Sequence, residues 1–331
     1  MEELFNPDGL VLSAHYADTM ARTVMPYLDE HRTDEIVMGF EDRPLFTSRF
    51  KAEGEARGTV FVLHGFTENA VKYSEIIYSL LQNGFCVLAY DQRGHGRSWK
   101  DEKRGDESLV HVADFVKYEK DLDCICRAMD GKLPKPWKVF CHSMGGAVTS
   151  LFLINHKGVF ERAAMCAPMI AVNRRKMPFF TSKLMARGFK LAGKGRQRMF
   201  VSHPYSERES FEGACATGRE RFDWFSDIKH ANPLFHDNGP SYSWMLEALR
   251  VSQWLLFPGA PRRIDCPVKI YSAEDDWEVL ASAQRMFARR LRHGRIQTVP
   301  GSRHEIYRSA DETLFPWWSD VLAFLKAEQT S

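Results

Sequence analysis

Residues 139–146 read Val-Phe-Cys-His-Ser-Met-Gly-Gly, an apolar run that stops at Ser143, and the helical pattern AVTSLFLINH follows. A serine at a sharp turn from strand to helix has its hydroxyl lifted above the sheet, with the next amides at a helix N-terminus. Serine is a weak nucleophile at neutral pH, and it needs a base and oxyanion donors close by. The stretch therefore predicts a nucleophilic serine rather than a buried strand with a helix N-cap.

Small residues are expected two places before and two places after such a serine, because the turn packs tightly. Gly145 meets this expectation and is interpreted as a structural residue of the site. Cys141 stands where the pattern G-x-S-x-G has its first glycine, and this is a departure. The cysteine itself is a poor alternative nucleophile because the strand should bury it.

Working outward from this turn, short apolar runs alternate with helical segments along the chain. Continuous apolar runs are typical of parallel strands covered on both faces by helices. The sequence thus predicts an α/β fold with a mostly parallel sheet and an antiparallel edge hairpin over 35–49. The predicted strands are 60–63, 85–90, 137–141, 162–166, 268–271 and 296–299, and the predicted helices are 73–83, 112–130, 279–291 and 314–326.

The alternation stops between about 170 and 259, where the sequence is helical and contains no convincing buried strand. We expect residues 170–259 to form a helical cap over the carboxyl ends of the strands, where open α/β sheets bind ligands. Residues 1–169 and 260–331 then form the core.

A second motif, Leu63-His64-Gly65-Phe66, follows the first buried strand. A His-Gly turn at this place can bend the backbone under the serine and direct an amide at the developing oxyanion. The amides of Phe66 and Met144 are the natural donor pair, whereas His64 and Gly65 are expected to be structural. The loop 90–98, DQRGHGRS after a tyrosine, is also interpreted as structural, with Asp91 and Arg93 in a buried network.

In this kind of fold a triad runs serine, acid, histidine along the chain. The late strand 268–271 leads into Glu274, Asp275 and Asp276, and the last strand leads into His304. Both loops lie where the acid and the base are required. The order of the four signals, rather than any one of them, favours a serine hydrolase.

Composition excludes several other classes of protein. The formal net charge of the 331 residues is +2, which gives no electrostatic reason to expect nucleic acid as a partner, and no apolar run approaches the ~20 residues of a membrane span. The first ten residues lack the features of a secretory signal. Seven cysteines without a CxxC pair predict neither a disulfide framework nor a metal site. We expect a cytoplasmic protein.

The cap contains a basic and apolar segment. Between Asn173 and Phe200 there is no Asp or Glu, and nine Lys or Arg residues are interleaved with Met, Leu and Phe. Such a segment can lie on an anionic lipid surface, or it can pack its apolar face on the core and solvate its charges. The two interpretations are compatible. A basic and apolar cap favours an acyl-chain substrate with a polar or phosphorylated head, and the first interpretation also predicts peripheral contact with the inner membrane surface.

The motifs HGF, DQRGHGRS, HSMGG, SAEDD and GSRHE together resemble those of the α/β-hydrolases, within them the bacterial lysophospholipase and monoacylglycerol lipase group. The resemblance runs from about residue 35 to the C-terminus. It implies Ser143 as nucleophile, His304 as base, Asp275 as acid, and Phe66 and Met144 as oxyanion donors. Glu274 and Asp276 compete with Asp275, which is chosen by its position after the strand.

These observations predict a two-step acyl transfer on a lysophospholipid or monoacylglycerol, with no metal and no organic cofactor. Two alternatives remain open. One is another reaction on the same triad, such as that of a short-chain carboxylesterase or a thioesterase. The other is a non-catalytic α/β-hydrolase scaffold.

Overall fold

A computed structural model describes residues 4–173, 179–200 and 202–327 of the chain. In these residues one sheet of eight strands has the order β1-β2-β4-β3-β5-β6-β7-β8. The pairs from β4 to β8 are parallel, and β1 and β2 add an antiparallel hairpin at one edge. The strands are β1 (Arg32–Met38), β2 (Pro44–Phe50), β3 (Thr59–Leu63), β4 (Cys86–Tyr90), β5 (Trp137–His142), β6 (Arg162–Cys166), β7 (Val268–Asp275) and β8 (Gly294–Arg303).

Helices lie on both faces of this sheet, and further helices lie in the long segment between β6 and β7. Their bounds are α1 (Tyr16–Thr19), α2 (Met25–His31), α3 (Ser74–Gln82), α4 (Val116–Met129), α5 (Met144–Asn155), α6 (Phe179–Phe189), α7 (Arg219–Ala231), α8 (Tyr242–Leu255), α9 (Ala281–Arg290) and α10 (Asp311–Lys326). The predicted α/β fold with an antiparallel edge hairpin is confirmed. The last two strands are longer than predicted because they extend through polar residues beyond the apolar runs.

The alternation of side chains along the strands divides the core into two clusters. In β3, Phe61 belongs to the cluster that contains side chains of α4, α5 and α9, while Val60 and Val62 belong to the cluster that contains side chains of α3 and α10. Every residue of the four central strands β3, β4, β5 and β6 is buried. Burial on both faces explains why these strands are continuous apolar runs.

The chain between β6 and β7 contains α6, α7 and α8, and no strand lies among its described residues. Two of these helices are fixed to the rest of the molecule. Arg221 of α7 is fully buried, with Nε 2.9 Å from Oε2 of Glu75 and Nη1 2.7 Å from Oδ1 of Asp311. Trp244 of α8 donates to the hydroxyl of Tyr118 at 3.2 Å. Of the helices described, none is long and apolar enough to cross a membrane.

Candidate active site

The predicted turn from strand to helix is present at Ser143, between the end of β5 and the start of α5. Ser143 has φ +47° and ψ −114°. This backbone conformation is strained for a residue other than glycine, and strained residues of this kind cluster at active sites. Its amide donates to the carbonyl of Cys166 at 3.1 Å, and its own carbonyl accepts from the amide of Met169 at 2.8 Å. The turn is therefore fixed to the adjacent strand β6 and the residues that follow it.

Small residues after the serine allow the helix to approach the sheet closely. A Cβ added at Gly145 would lie 2.4 Å from the carbonyl oxygen of Leu63, and one at Gly146 would lie 2.4 Å from Cβ of Pro168. Before the serine, Cys141 is fully buried, with Sγ 3.8 Å from the carbonyl oxygen of Ala164. The cysteine fits this position because its side chain lies in the core of the sheet.

His304 follows β8 and lies between Ser143 and a carboxylate. Its Nε2 is 2.9 Å from Oγ of Ser143, and its Nδ1 is 2.8 Å from Oδ2 of Asp276. Because a carboxylate only accepts, Nδ1 carries the hydrogen and Nε2 is left to accept from the serine hydroxyl. This is the arrangement that a general base for a serine requires.

The choice of Asp275 as the partner of His304 is wrong. Strand β7 continues as far as Asp275, which pairs with Arg303 of β8 across an irregularity in the register and is exposed. The turn begins one residue later, and the side chain of Asp276 points toward His304 instead. The other oxygen, Oδ1 of Asp276, accepts from the amides of Glu278 at 2.9 Å and Val279 at 3.0 Å.

Burial and hydrogen bonding oppose each other at this pair. Burial acts to raise the pKa of Asp276, but the hydrogen bond and charge of His304 hold that pKa below its ordinary value. Burial acts to lower the pKa of His304, but Asp276 and then Glu278 and Glu305 raise it above its ordinary value. The pair thus keeps an anionic carboxylate beside an imidazole that is a stronger base than usual.

The two predicted oxyanion donors lie on either side of the serine. Met144 is the first residue of α5, where amides have no intrahelical acceptor, and Phe66 follows the His-Gly turn. In the residues that the structure describes, neither amide donates a hydrogen bond to another protein atom. The amides are thus available, and their role as an oxyanion hole stays a prediction.

His64 and Gly65 hold the turn before Phe66. Nδ1 of His64 lies 2.7 Å from the carbonyl oxygen of Gly65, and its Nε2 accepts from the amide of Gln92 at 2.8 Å. Burial lowers the pKa of His64, which keeps the ring neutral. Neither ring nitrogen is left to reach the reacting groups, in agreement with a structural role.

A buried carboxylate behind the site was missed from the sequence. Oε2 of Glu68 accepts from the amide of Gly65 at 2.6 Å and lies 3.2 Å from Nδ1 of His142. Nε2 of His142 is in turn 3.2 Å from the carbonyl oxygen of His304. The chain of contacts therefore joins the His-Gly turn to the loop of the base.

The same carboxylate has three further donors. Lys72, Tyr73 and Tyr307 donate to Glu68 at 2.9, 2.6 and 2.7 Å. Burial acts to raise the pKa of Glu68, but the charges of Lys72 and His142 hold it well below its ordinary value. The only sequence signal for this cluster is an acidic residue three places after the His-Gly turn, and nothing in the sequence links it to position 142 or 307.

The glycine loop 90–98 forms two separate buried ion pairs. Asp91 pairs with Arg97 at 2.9 Å, whereas Arg93 pairs with Asp121 of α4. A Cβ at Gly96 would lie 2.4 Å from Oδ2 of Asp91, which explains the glycine there. Asp91 and Arg93 are thus both buried and paired as expected, but each pairs with a different residue and they do not form one network.

Above the serine, α8 covers the His-Gly turn. The ring of Trp244 lies 4.0 Å from that of Phe66, centroid to centroid.

Of the basic segment, Arg174, Arg175 and Lys176 lie outside the described residues, while α6 and the turn after it expose Phe180, Leu184 and Leu191. Among the described residues, no group of three His, Cys, Asp or Glu side chains could hold a metal ion.

Comparison with known proteins gives consistent matches. The family model Hydrolase_4, described as serine aminopeptidase, S33, matches residues 54–311. Lysophospholipase L2 of Escherichia coli K12 is 31% identical over 242 residues, which is 71% of this chain and 69% of that protein. Human monoglyceride lipase is 29% identical over 130 residues, 39% of this chain and 41% of that one. A crystal structure of a soluble variant of monoglyceride lipase from Saccharomyces cerevisiae superposes with a TM-score of 0.68 at 17% identity, covering 88% of this chain and 96% of that one.

Proposed function

Because the chain belongs to the Hydrolase_4 family of α/β-hydrolases, we propose that it is a serine hydrolase of carboxylic esters that acts on single-chain lipid esters. The observation that carries the proposal is the line of hydrogen bonds from Asp276 through His304 to Ser143. All three side chains are at most 7% exposed. A line of this kind supports acyl transfer through a covalent acyl-enzyme.

In the first step, Oγ of Ser143 attacks the ester carbonyl while Nε2 of His304 takes its proton. Asp276 stabilises the imidazolium, and the amides of Phe66 and Met144 stabilise the oxyanion. The imidazolium then protonates the leaving alcohol, and the acyl group remains on the serine. In the second step, water gives its proton to His304 and attacks the acyl-enzyme, which releases the fatty acid and restores the serine.

Two observations support a lipid rather than a small ester. Related proteins are named lysophospholipase L2 and monoglyceride lipase, and these names support an ester with one acyl chain as the substrate. In addition, α6 exposes Phe180 and Leu184 to solvent, and large exposed apolar side chains on a helix are typical of a surface that meets lipid.

We place the core in residues 1–169 and 260–331 and the cap in residues 170–259. The cap would lie on the inner membrane surface, with the charges of Arg187 and Lys194 directed at anionic lipid headgroups. The seven cysteines are free thiols, which supports a reducing compartment such as the cytoplasm.

The test is acid release by purified wild type and Ser143→Ala from lysophosphatidylcholine, monooleoylglycerol, nitrophenyl butyrate and leucine nitroanilide. The proposal predicts release from the first two by wild type, with Ser143→Ala slower by at least ~10³-fold. A preference for butyrate over both lipids would be consistent with the triad but would reject a lipid as the substrate. Hydrolysis of the anilide alone would point to an aminopeptidase. Equal rates for both proteins on every substrate would support the non-catalytic scaffold.

A further inference from the structure

A second surface, outside the basic segment of the cap, combines an apolar groove with unpaired arginines. The groove has a volume of about 520 Å³ and runs between the end of α8 and the first half of α9. The loop after α8 contributes Leu256, Phe257 and Pro258, and α9 contributes Ala283 and Met286.

Large apolar side chains at this groove face solvent. Trp254, Phe257 and Met286 are 43%, 58% and 44% exposed. The rings of Trp254 and Phe257 are parallel, with an interplanar angle of 3° and centroids 6.1 Å apart. The contacts of the described residues give no structural reason for a stacked aromatic pair that is exposed to solvent. Exposed apolar patches of this kind mark interaction surfaces.

Four exposed arginines lie on α9, which lines the groove, and in the chain that follows the groove's loop after α8. Arg285 and Arg289 lie one turn apart on the outer side of α9, and Arg262 and Arg263 lie in the loop that packs beside that helix. We call these four residues the arginine face. Within the described part of the chain, none of the four makes an ion pair or a side-chain hydrogen bond. By contrast, Arg208 and Arg219, elsewhere in the chain between β6 and β7, both pair with Asp223.

The sequence around the arginine face contains few acids to neutralise it. There is no Asp or Glu from Val279 to His304, and Asp265 is the one acid between Ala248 and Ala273. A net charge of +2 for the whole chain therefore conceals a strongly basic surface. Positive charge that is left unpaired beside apolar side chains is complementary to a surface with anionic groups above a hydrocarbon layer.

The groove is continuous with the exposed face of α6. Lys183 of α6 donates to Oε1 of Gln253 at 2.6 Å, and Gln253 lines the groove. At its other end the groove reaches Ala171 and Val172, which follow β6 close to the turn of Ser143. The groove thus connects α6, through the contact of Lys183 with Gln253, to the first half of α9.

We infer that the groove and the arginine face dock the protein on an anionic lipid bilayer, with Trp254 and Phe257 inserted among the headgroups. This goes beyond the contact proposed for the basic segment of the cap, because the charge comes from α9 and from the loop after α8. It rests on the proposed function only in that the substrate is a lipid held in a bilayer. Trp and Arg side chains are suited to this boundary, where one side is apolar and the other is charged.

The inference is tested by sedimentation of the full chain with vesicles of phosphatidylglycerol and phosphatidylcholine. Each basic residue at such a surface contributes about fivefold to the affinity, so Arg285→Ala/Arg289→Ala should bind about 25-fold more weakly. The matched control is Lys51→Ala/Arg57→Ala, which removes two exposed charges from the loop between β2 and β3 and should change binding less than about twofold.

Equal weakening by both double variants would overturn the inference, because net charge alone would then explain binding. Vesicle binding by Arg285→Ala/Arg289→Ala that is as tight as that of wild type would also overturn the inference. So would a result in which this variant binds a DNA duplex more weakly than wild type but binds vesicles equally well. Hydrolysis of soluble nitrophenyl butyrate, measured in parallel, should be the same in all variants. A chain that binds vesicles but hydrolyses nothing would reject the proposed function and leave this inference intact.

Insertion of the aromatic pair has its own measurement. Brominated lipids quench a tryptophan that enters the bilayer, and Trp254→Phe should lose most of the quenching seen in wild type while it keeps its vesicle binding. Unchanged quenching in Trp254→Phe would show that another face of the molecule enters the lipid, and the inference would fail.

Discussion

Oδ2 of Asp276 lies 2.8 Å from Nδ1 of His304, and both side chains are withdrawn from solvent, at 3% and 7% exposure. The adjacent Asp275 is exposed and lies within β7. Two neighbouring acids therefore have different environments, and this difference can be tested with a pair of matched substitutions.

Asp276→Asn should lower kcat for nitrophenyl butyrate by about 10⁴-fold, because the amide cannot stabilise the imidazolium and favours the wrong tautomer of His304. Asp275→Asn makes the same chemical change one residue earlier and should stay within about twofold of wild type. If the variant at 275 lost as much activity as the variant at 276, the assignment of the acid would have to be reversed.

The rate should depend on pH through His304. The base acts in its neutral form, and the hydrogen bond to Asp276 raises its pKa against the effect of burial, so kcat/KM should fall as pH drops through a midpoint above the ordinary pKa of histidine. Glu278 also raises that pKa, so Glu278→Gln should move the midpoint to lower pH and leave the plateau unchanged. A profile that is flat down to pH 5 would be inconsistent with His304 as the base.

The buried Glu68 should contribute strongly to stability. Glu68→Gln places an amide donor among Lys72 and His142, which both donate, and removes the charge that compensates the lysine. We expect a loss of about 3 kcal/mol in the free energy of unfolding, measured by urea denaturation. Glu53→Gln, at an exposed glutamate, should cost less than about 0.5 kcal/mol. Similar values for the two variants would mean that the buried cluster adds little stability.

Gly145→Ala should impair turnover more than folding. The new Cβ would meet the carbonyls of Leu63 and His64, which lead into the turn of Phe66, so the oxyanion donor should move. Misplacing one such donor costs about 10²–10³-fold in kcat. Gly188→Ala in α6 is the matched control, since a Cβ there has no neighbour within 4 Å and should leave kcat unchanged. Full activity of Gly145→Ala would argue against the oxyanion role of Phe66.

The sequence was sufficient where local patterns decide the structure. The buried strands, the turn at Ser143 and the loop of His304 follow from apolar runs and from the order of elements, and these were predicted within a few residues. The acid was misplaced by one residue because an apolar run does not reveal how far a strand extends through polar residues. The end of β7 depends on pairing of Asp275 with Arg303, a contact between distant positions.

The cluster around Glu68 could not be predicted for a related reason. Its partners His142 and Tyr307 lie 74 and 239 positions away in the chain, and only the packed sheet brings them together. The groove beside α9 was missed because Trp254 and Phe257 look like core residues in an apolar helical pattern. Their exposure depends on where α8 ends relative to α9, which the sequence pattern does not specify.

The central claim, that Ser143 is a nucleophile activated by His304, is tested most directly by a fluorophosphonate probe and mass mapping of the labelled peptide. We predict one phosphonyl adduct, on the peptide with Ser143, and at least ~10³-fold slower labelling in His304→Ala. Adduct formation on another residue, or equal labelling rates in wild type and His304→Ala, would contradict the claim.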